Sequence, residues 1–475
     1  FTFGCESMVS KSNINGSKIP PGQLVNIIQK GIMYANLERS VADDGTDLPT
    51  VEPFSVLRTT DVKLNEGTPQ ASSKPASAPE VAPGEEVNAA KRPRLEGESS
   101  GTSQPGEASV ANGEHIETPA DHVLTLWGHT SEVFTCAWNP TSMVLATGSG
   151  DTTARIWKVP EGPYTKSPRV GETLVLQHLC KDKEKSKDVT TLDWNHTGTA
   201  LATGSYDGQA RIWSSSGKLT ATLVKHSGPI FSLKWNSTGQ YLLSGSVDKT
   251  AIIWDVASGT VKQHFSFHRE PTLDVDWRDE TSFASCSTDR MIYVCKLNSP
   301  NYVKLFQGHT DEVNAIKWDP SGELLASCSD DYTAKLWSMS SASALVTLRQ
   351  HTKEIYTIKW SPTGPGSANP NADLVLASAS FDATVRIWDP ATGQCRHVLT
   401  KHNDPVYSVA FSSNGQYLAT GSFDRCLHIW SVKDGRLVKT YRGEAGIFEV
   451  CWNAEGSKVA ACFANNTVSV LDIRM

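Results

Sequence analysis

The stretch GHTDEVNAIKWDPSGELLASCSDDYTAKLW, residues 308–337, decides how this chain folds. It opens on Gly308-His309 and runs through an apolar strand that closes on Trp318. It then reaches a small-residue turn, Ser329-Asp330-Asp331, six residues before Trp337. The pattern recurs along the chain. Turn aspartates stand at Asp151, Asp207, Asp248, Asp289, Asp331, Asp382 and Asp424, and six residues after each come Trp157, Trp213, Trp254, Cys295, Trp337, Trp388 and Trp430. The intervals between the aspartates are 56, 41, 41, 42, 51 and 42 residues, and a further 41 lands on Asn465, six residues before Leu471. Histidines introduce the units at His129, His178, His226, His268, His309, His351 and His402. The apolar strands close on Trp138, Trp194, Trp235, Trp277, Trp318, Trp360, Phe411 and Trp452, so eight units are present. A fixed period of this length marks supersecondary units that cannot bury both faces alone and stack on their neighbours to form a core.

Motifs such as Gly308-His309, Ser329-Asp330-Asp331 and Lys335-Leu336-Trp337 resemble the WD40 repeat over about three quarters of the chain. The resemblance implies an all-β fold, an eight-bladed β-propeller over residues 122–475 with four antiparallel strands per blade around a central channel. Recurrence of His, Asp and Trp together predicts one hydrogen-bond network per blade. Complete sets are His129/Asp151/Trp157, His226/Asp248/Trp254, His309/Asp331/Trp337, His351/Asp382/Trp388 and His402/Asp424/Trp430, with a nearby hydroxyl such as Ser205 or Ser380. Serine, histidine and aspartate together also suggest nucleophilic catalysis, but that chemistry needs one exposed nucleophile and an oxyanion site. Many near-identical copies point to a structural tie.

An open ring would leave strand edges unpaired. The segment Val123-Leu124-Thr125-Leu126 is spaced as an outermost strand and is expected to complete the eighth blade with strands from residues 447–473. The two long intervals place insertions at residues 160–187 and 364–373, both expected as surface loops.

The WD40 resemblance further implies that partners meet the narrow face lined by the residue four before each strand-ending aromatic. Those positions are Phe134, Thr190, Phe231, Leu273, Asn314, Tyr356, Tyr407 and Phe448, five of them aromatic. Large rings at strand entrances suit an interface, because they bury much area with few rotors. Tyr206, Phe381 and Phe423, just before turn aspartates, add to the set. Glu132, Asp188, Glu312 and Glu354 stand two residues before channel-facing positions. An apolar floor ringed by carboxylates suggests a peptide or tail bearing lysine or arginine among apolar residues.

Two further zones precede the repeats. In residues 1–57, Pro20-Pro21 opens a helix whose Leu24, Ile27, Ile28, Ile32, Ala35 and Val41 form a stripe too short to be stable alone, which is expected to dock on a partner helix. Residues 58–121 contain no aromatic residue and are rich in Pro, Ser, Gly, Ala and Glu, the composition of a disordered linker. Within them Lys91, Arg92 and Arg94 form a compact basic cluster read as a nuclear localisation signal. The chain as a whole resembles the transducin beta-like protein 1 family of corepressor subunits. That match rests on Phe3-Gly4-Cys5-Glu6-Ser7, Ser12-Asn13-Ile14-Asn15-Gly16, Ile27-Ile28-Gln29-Lys30-Gly31, Asn314-Ala315-Ile316-Lys317-Trp318-Asp319-Pro320 and Lys359-Trp360-Ser361-Pro362-Thr363-Gly364-Pro365-Gly366. It implies a nuclear scaffold of a nuclear receptor corepressor and histone deacetylase complex. In that family the propeller binds histone tails and transcription factors, and an F-box-like role links it to ubiquitin–proteasome components and corepressor/coactivator exchange. The segment that resembles the end of the family's LisH region lacks the first LisH helix, so a homo-oligomer is expected only with an intact N-terminus.

A net charge of −7 gives no global basic field, so neither an anionic membrane surface nor direct sequence-specific nucleic-acid binding is expected. No apolar run approaches the roughly 18 residues that would span a bilayer. The ten cysteines include no CxxC pair, which reads as buried thiols in a reducing compartment, with no metal site. There is no P-loop, HExxH or complete GxGxxG, so no enzyme and no cofactor are expected. The alternative function is a substrate receptor of a cullin-type ubiquitin ligase. Leu471-Asp472-Ile473-Arg474 resembles the WDxR box of such adaptors, but leucine stands where tryptophan belongs.

Overall fold

A computed structural model describes residues 117–119, 122–162, 164, 171–178 and 187–474. The expected N-terminal helix and the basic cluster of Lys91, Arg92 and Arg94 lie outside these residues. Every regular element among the described residues is a β-strand. The strands form eight four-stranded antiparallel sheets, each taking consecutive strands except one. Blade 5 is typical, with Val313–Trp318 innermost, then Leu324–Ser329, Ala334–Ser338 and Val346–Leu348 outermost. The innermost strand of each blade packs against that of the next, and the eighth meets the first. This is the closed eight-bladed propeller that the repeat spacing predicts.

The exceptional sheet closes the ring. Ile447–Trp452, Lys458–Phe463 and Val468–Asp472 supply three strands of blade 8, and Val123–Leu126 supplies the outermost, with Val123 opposite Leu471 and Leu126 opposite Val468. Val123, Leu124 and Leu126 are buried, and each such side chain contributes roughly 1.5–3 kcal/mol. The chain makes contact slightly earlier still, since Glu117 bridges in parallel to Thr440 on the outer strand of blade 7.

The cores lie between blades. Leu124, Ala460 and Val470 of blade 8 pack with Val133, Trp138, Leu145 and Trp157 of blade 1, so no blade is stable by itself. The loop reading of residues 160–187 needs correction, because they contain the outermost strand of blade 1, Thr173–Gln177. Tyr164 is also buried, with its ring 4.2 Å from the Lys458 ammonium in the seam between blades 1 and 8. An amphipathic ring that covers a buried ion pair cannot be read from repeat spacing. Most of residues 364–373 are exposed or half-buried, as a surface insertion should be.

Each turn aspartate precedes a residue in the left-handed region. Only Gly208 meets that demand freely, whereas Tyr332 is held at φ 66° and Ala383 at 63°. Such a conformation costs roughly 1–2 kcal/mol in a residue with a Cβ. The aspartate offsets part of it by accepting the next backbone N–H, as Asp331 does from Thr333 at 2.9 Å.

Candidate recognition face and the blade network

The blade network is a directional chain. In blade 5, Asp331 accepts the Nδ1–H of His309 at 2.8 Å, the backbone N–H of Thr310 at 3.0 Å and the Thr333 hydroxyl at 2.6 Å. With Nδ1 donating, Nε2 must accept, and it takes the Ser327 hydroxyl at 2.7 Å. The Ser327 oxygen in turn accepts the indole N–H of Trp337 at 2.8 Å. One hydroxyl therefore joins imidazole to indole in the middle of the blade. Equivalent sets appear at His129/Asp151/Thr147/Trp157, His226/Asp248/Ser244/Trp254, His351/Asp382/Ser378/Trp388 and His402/Asp424/Thr420/Trp430.

The hydroxyl lies two residues earlier than expected. Ser378, not Ser380, meets His351, while Ser380 accepts the backbone N–H of Asp382. Likewise Thr203, not Ser205, meets His178, and Ser205 bonds Asp207. Residues two apart share a strand face, so sequence alone leaves that choice open, and reach down the strand selects the inner one.

Burial pushes the His309 and His351 imidazoles below their ordinary range, which keeps them neutral. Burial would raise the Asp248 carboxyl, but bonds from His226, Thr250 and Ser227 outweigh it and hold the group at about 2. Blade 2 solves the same problem differently. Buried Arg211 sits between His178 and Asp207, donating to Nδ1 at 3.1 Å and to the carboxylate at 2.7 Å. His178 must then carry its proton on Nε2, and burial followed by the Arg211 charge brings its pKa to about 3. In blade 4, Cys295 replaces tryptophan, so Ser285 bonds His268 alone at 2.8 Å.

The eight positions expected at the channel mouth share one backbone feature. Every innermost strand shifts register at that residue, for example between Val133 and Thr135, between Ile355 and Thr357, and between Val406 and Ser408. Phe134, Thr190, Phe231, Leu273, Asn314, Tyr356, Tyr407 and Phe448 are thus the extra residues of eight β-bulges, which re-aim side chains out of the ladder. All eight line one central cavity of about 250 Å³.

On one side the rings form a continuous arc. Tyr407 is its hub, with ring centres 5.7 Å from Tyr356, 5.8 Å from Phe381, 6.0 Å from Phe423 and 6.4 Å from Phe448. Phe448 continues to Phe134 at 5.7 Å. Tyr407, Phe448 and Phe381 are buried in this packing, whereas Phe134, Tyr356 and Phe423 remain half-buried. Phe231 lies apart on blade 3, and Tyr206 is half-buried on blade 2.

The carboxylates do not ring the mouth. Asp188 lines the central cavity, but Glu312 lines a separate one with Arg269 and Arg290, and Glu354 is buried. Glu132 accepts the Ser131 hydroxyl at 2.5 Å. Nor is the floor apolar. Lys234, Asp274, Lys317, Lys359 and Glu449 line it, because the bulge returns the strand to alternation and turns these later residues inward as well. The overlooked signal was a charge immediately before a strand-ending tryptophan, as in Lys317-Trp318 and Lys359-Trp360.

Among the described residues, one group could hold a metal ion, namely His402, Asp424 and His428. His402 already bonds Asp424 and Thr420, and His428 bonds the Thr440 hydroxyl at 2.8 Å. The same His–Asp pair recurs in five other blades without a third ligand, so this set is the blade network with a neighbouring imidazole. At the C-terminal end, Leu471 is buried and Asp472 holds Lys458 at 2.9 Å and Arg474 at 2.5 Å. That acidic group is engaged within blade 8.

A closed ring of eight such blades, with histidine, aspartate and strand hydroxyl joined in blades 1 to 7, defines a WD40 β-propeller. The WD domain, G-beta repeat family model matches residues 120–158, 176–214, 217–255, 300–338, 342–389 and 393–431. The chain is 51% identical to the F-box-like/WD repeat-containing protein TBL1X of Mus musculus, with all of this chain and 95% of that protein covered. It is 56% identical to the WD40 repeat-containing protein HOS15 of Arabidopsis thaliana, over 75% of this chain and 59% of that protein. The crystal structure of the C-terminal WD40 domain of Sif2 superposes with a TM-score of 0.65 at 25% identity, covering 73% of this chain and 97% of that one. The chain belongs to the transducin beta-like family of F-box-like/WD repeat-containing proteins.

Proposed function

We propose that this chain is a non-catalytic nuclear scaffold of a nuclear receptor corepressor and histone deacetylase complex, with the propeller mouth as its docking surface for histone tails and transcription factors. The observation that carries this reading is the aromatic arc. Six rings from four adjacent blades converge on the channel mouth. The blade network needs none of them, and half-buried rings set among supporting rings are the usual form of an interface anchor. The His–Asp sets support a structural role, since each imidazole Nε2 is occupied by a strand hydroxyl in a closed core and is not free to act as a base. Family membership supports the corepressor role, the nuclear location, the homo-oligomer and the part in ubiquitin-dependent corepressor/coactivator exchange.

The test is binding of purified chain to a lysine-rich histone-tail peptide, followed by fluorescence anisotropy. Phe134→Ala with Tyr356→Ala is expected to weaken binding by at least about 2 kcal/mol, roughly thirtyfold. Unchanged affinity in a folded variant would remove the mouth from the proposal.

A further inference from the structure

Below the aromatic mouth the channel carries donors to which the protein gives no acceptor. Lys359 lies on the innermost strand of blade 6, Ile355–Trp360, and lines the central cavity together with Thr357. Among the described residues, neither the Lys359 ammonium nor the Thr357 hydroxyl makes a hydrogen bond or ion pair. Its neighbours differ. Lys317 donates to Asp274 and to the Ile316 carbonyl at 2.7 Å, and Lys234 stands 3.8 Å from Asp193. The wall carboxylates already accept backbone N–H groups, Asp274 from Ile316 at 3.1 Å and Glu449 from Cys136 at 2.8 Å, and so do Asp276 from Trp318 at 2.7 Å and Asp193 from Trp235 at 3.0 Å on innermost strands.

We propose that this tier of the channel is an oxyanion site, in which Lys359 and Thr357, with Lys317 and Lys234 beside them, hold one carboxylate or phosphate group. Lys359 and Thr357 are half-buried and face the channel, and an anionic acceptor gives their donors stronger bonds than a neutral one. A cavity of about 250 Å³ is large enough for such a group with some water. Enclosure, then repulsion from Lys317 and Lys234, lowers the Lys359 amine to about 8, against opposing attraction from Glu449 and Asp274. A bound anion relieves that repulsion and raises the amine again. Affinity should therefore fall as pH rises through about 8. The group can arrive as a free anion or on a side chain that a docked partner lowers through the mouth. Only the second source rests on the recognition reading above.

The full chain, labelled with ¹³C at the lysine ε-carbons, is titrated near neutral pH with inorganic phosphate and separately with a short phosphoserine peptide. One ε-resonance, absent from Lys359→Met, should move saturably. Lys359→Met should weaken phosphate binding about tenfold or more, while Lys359→Arg should stay within about threefold of the parent. Saturation by phosphate alone assigns a free anion. Saturation only by the peptide, lost in Phe134→Ala, assigns a partner side chain. A Lys359 resonance that neither ligand moves, or undiminished affinity in Lys359→Met, overturns the site. If Lys359→Met fails to fold, Thr357→Val serves in its place, and undiminished phosphate affinity in that variant is equally fatal.

Discussion

Ser327→Ala and Ser285→Ala are the same chemical change in two blades, yet the network predicts different costs. Ser327 donates to His309 at 2.7 Å and accepts from Trp337 at 2.8 Å, and both rings are buried. Removing its hydroxyl leaves an imidazole nitrogen and an indole N–H without partners. A buried group left unsatisfied costs about 1–3 kcal/mol, so the two together should cost about 2–6 kcal/mol. Ser285 serves His268 only, because Cys295 stands where blade 5 has tryptophan, and its loss should cost about 1–3 kcal/mol. Urea denaturation followed by tryptophan fluorescence gives both numbers. A double-mutant cycle of Ser327→Ala with Trp337→Phe should recover about 1 kcal/mol or more of coupling, since the phenyl ring needs no acceptor. Equal costs for the two serines, or a loss below about 0.5 kcal/mol at Ser327, would refute the directional chain.

Leu124→Ala with Leu126→Ala should cost about 2–5 kcal/mol per residue and shift the protein to larger species on size exclusion, because the edge of Val468–Asp472 then lies open. Arg211→Ala should destabilise by about 3–5 kcal/mol in calorimetry, as it strands the Asp207 carboxylate in a closed site. Acid should unfold the propeller cooperatively. The network aspartates have folded pKa values below 3.8, so their contribution is complete above that value and is lost as pH falls through the folded value, about 2 for Asp248 and Asp424. The neutral imidazoles act in the same direction from about 6.5 downward, His178 and His428 most strongly with folded values near 3. A circular-dichroism titration should show stability falling steadily below neutrality, and a flat profile from pH 7 to 3 would contradict this.

Blade number, ring closure by Val123–Leu126 and the eight mouth positions were legible because each follows from a period, and a period survives substitution at any one site. Cys295 and Asn465 could both be placed although neither is the consensus residue. What was not legible depends on atoms that spacing does not encode. The choice of Ser378 over Ser380 turns on reach along one strand face. Arg211 stands two residues before its tryptophan, where Arg155 and Arg386 also stand, yet Arg211 reaches between histidine and aspartate while Arg386 bonds Gln350, a difference that spacing does not encode. The charged floor stayed hidden because simple alternation ignores the bulge that changes which residues face the channel. Tyr407 has the ring of an anchor, yet its neighbours cover it, and it acts as the support for half-buried Tyr356 and Phe423.

The central claim is that the bulge residues form a recognition surface while the blade networks hold the ring. It is tested most directly by placing a photo-crosslinking phenylalanine analogue at Phe134, and separately at exposed Val398 on the outer strand of blade 6, and irradiating each protein with core histones. Histone peptides crosslinked from position 134 and not from position 398 are the predicted result. Crosslinks that favour position 398, or are equal at both, would contradict it.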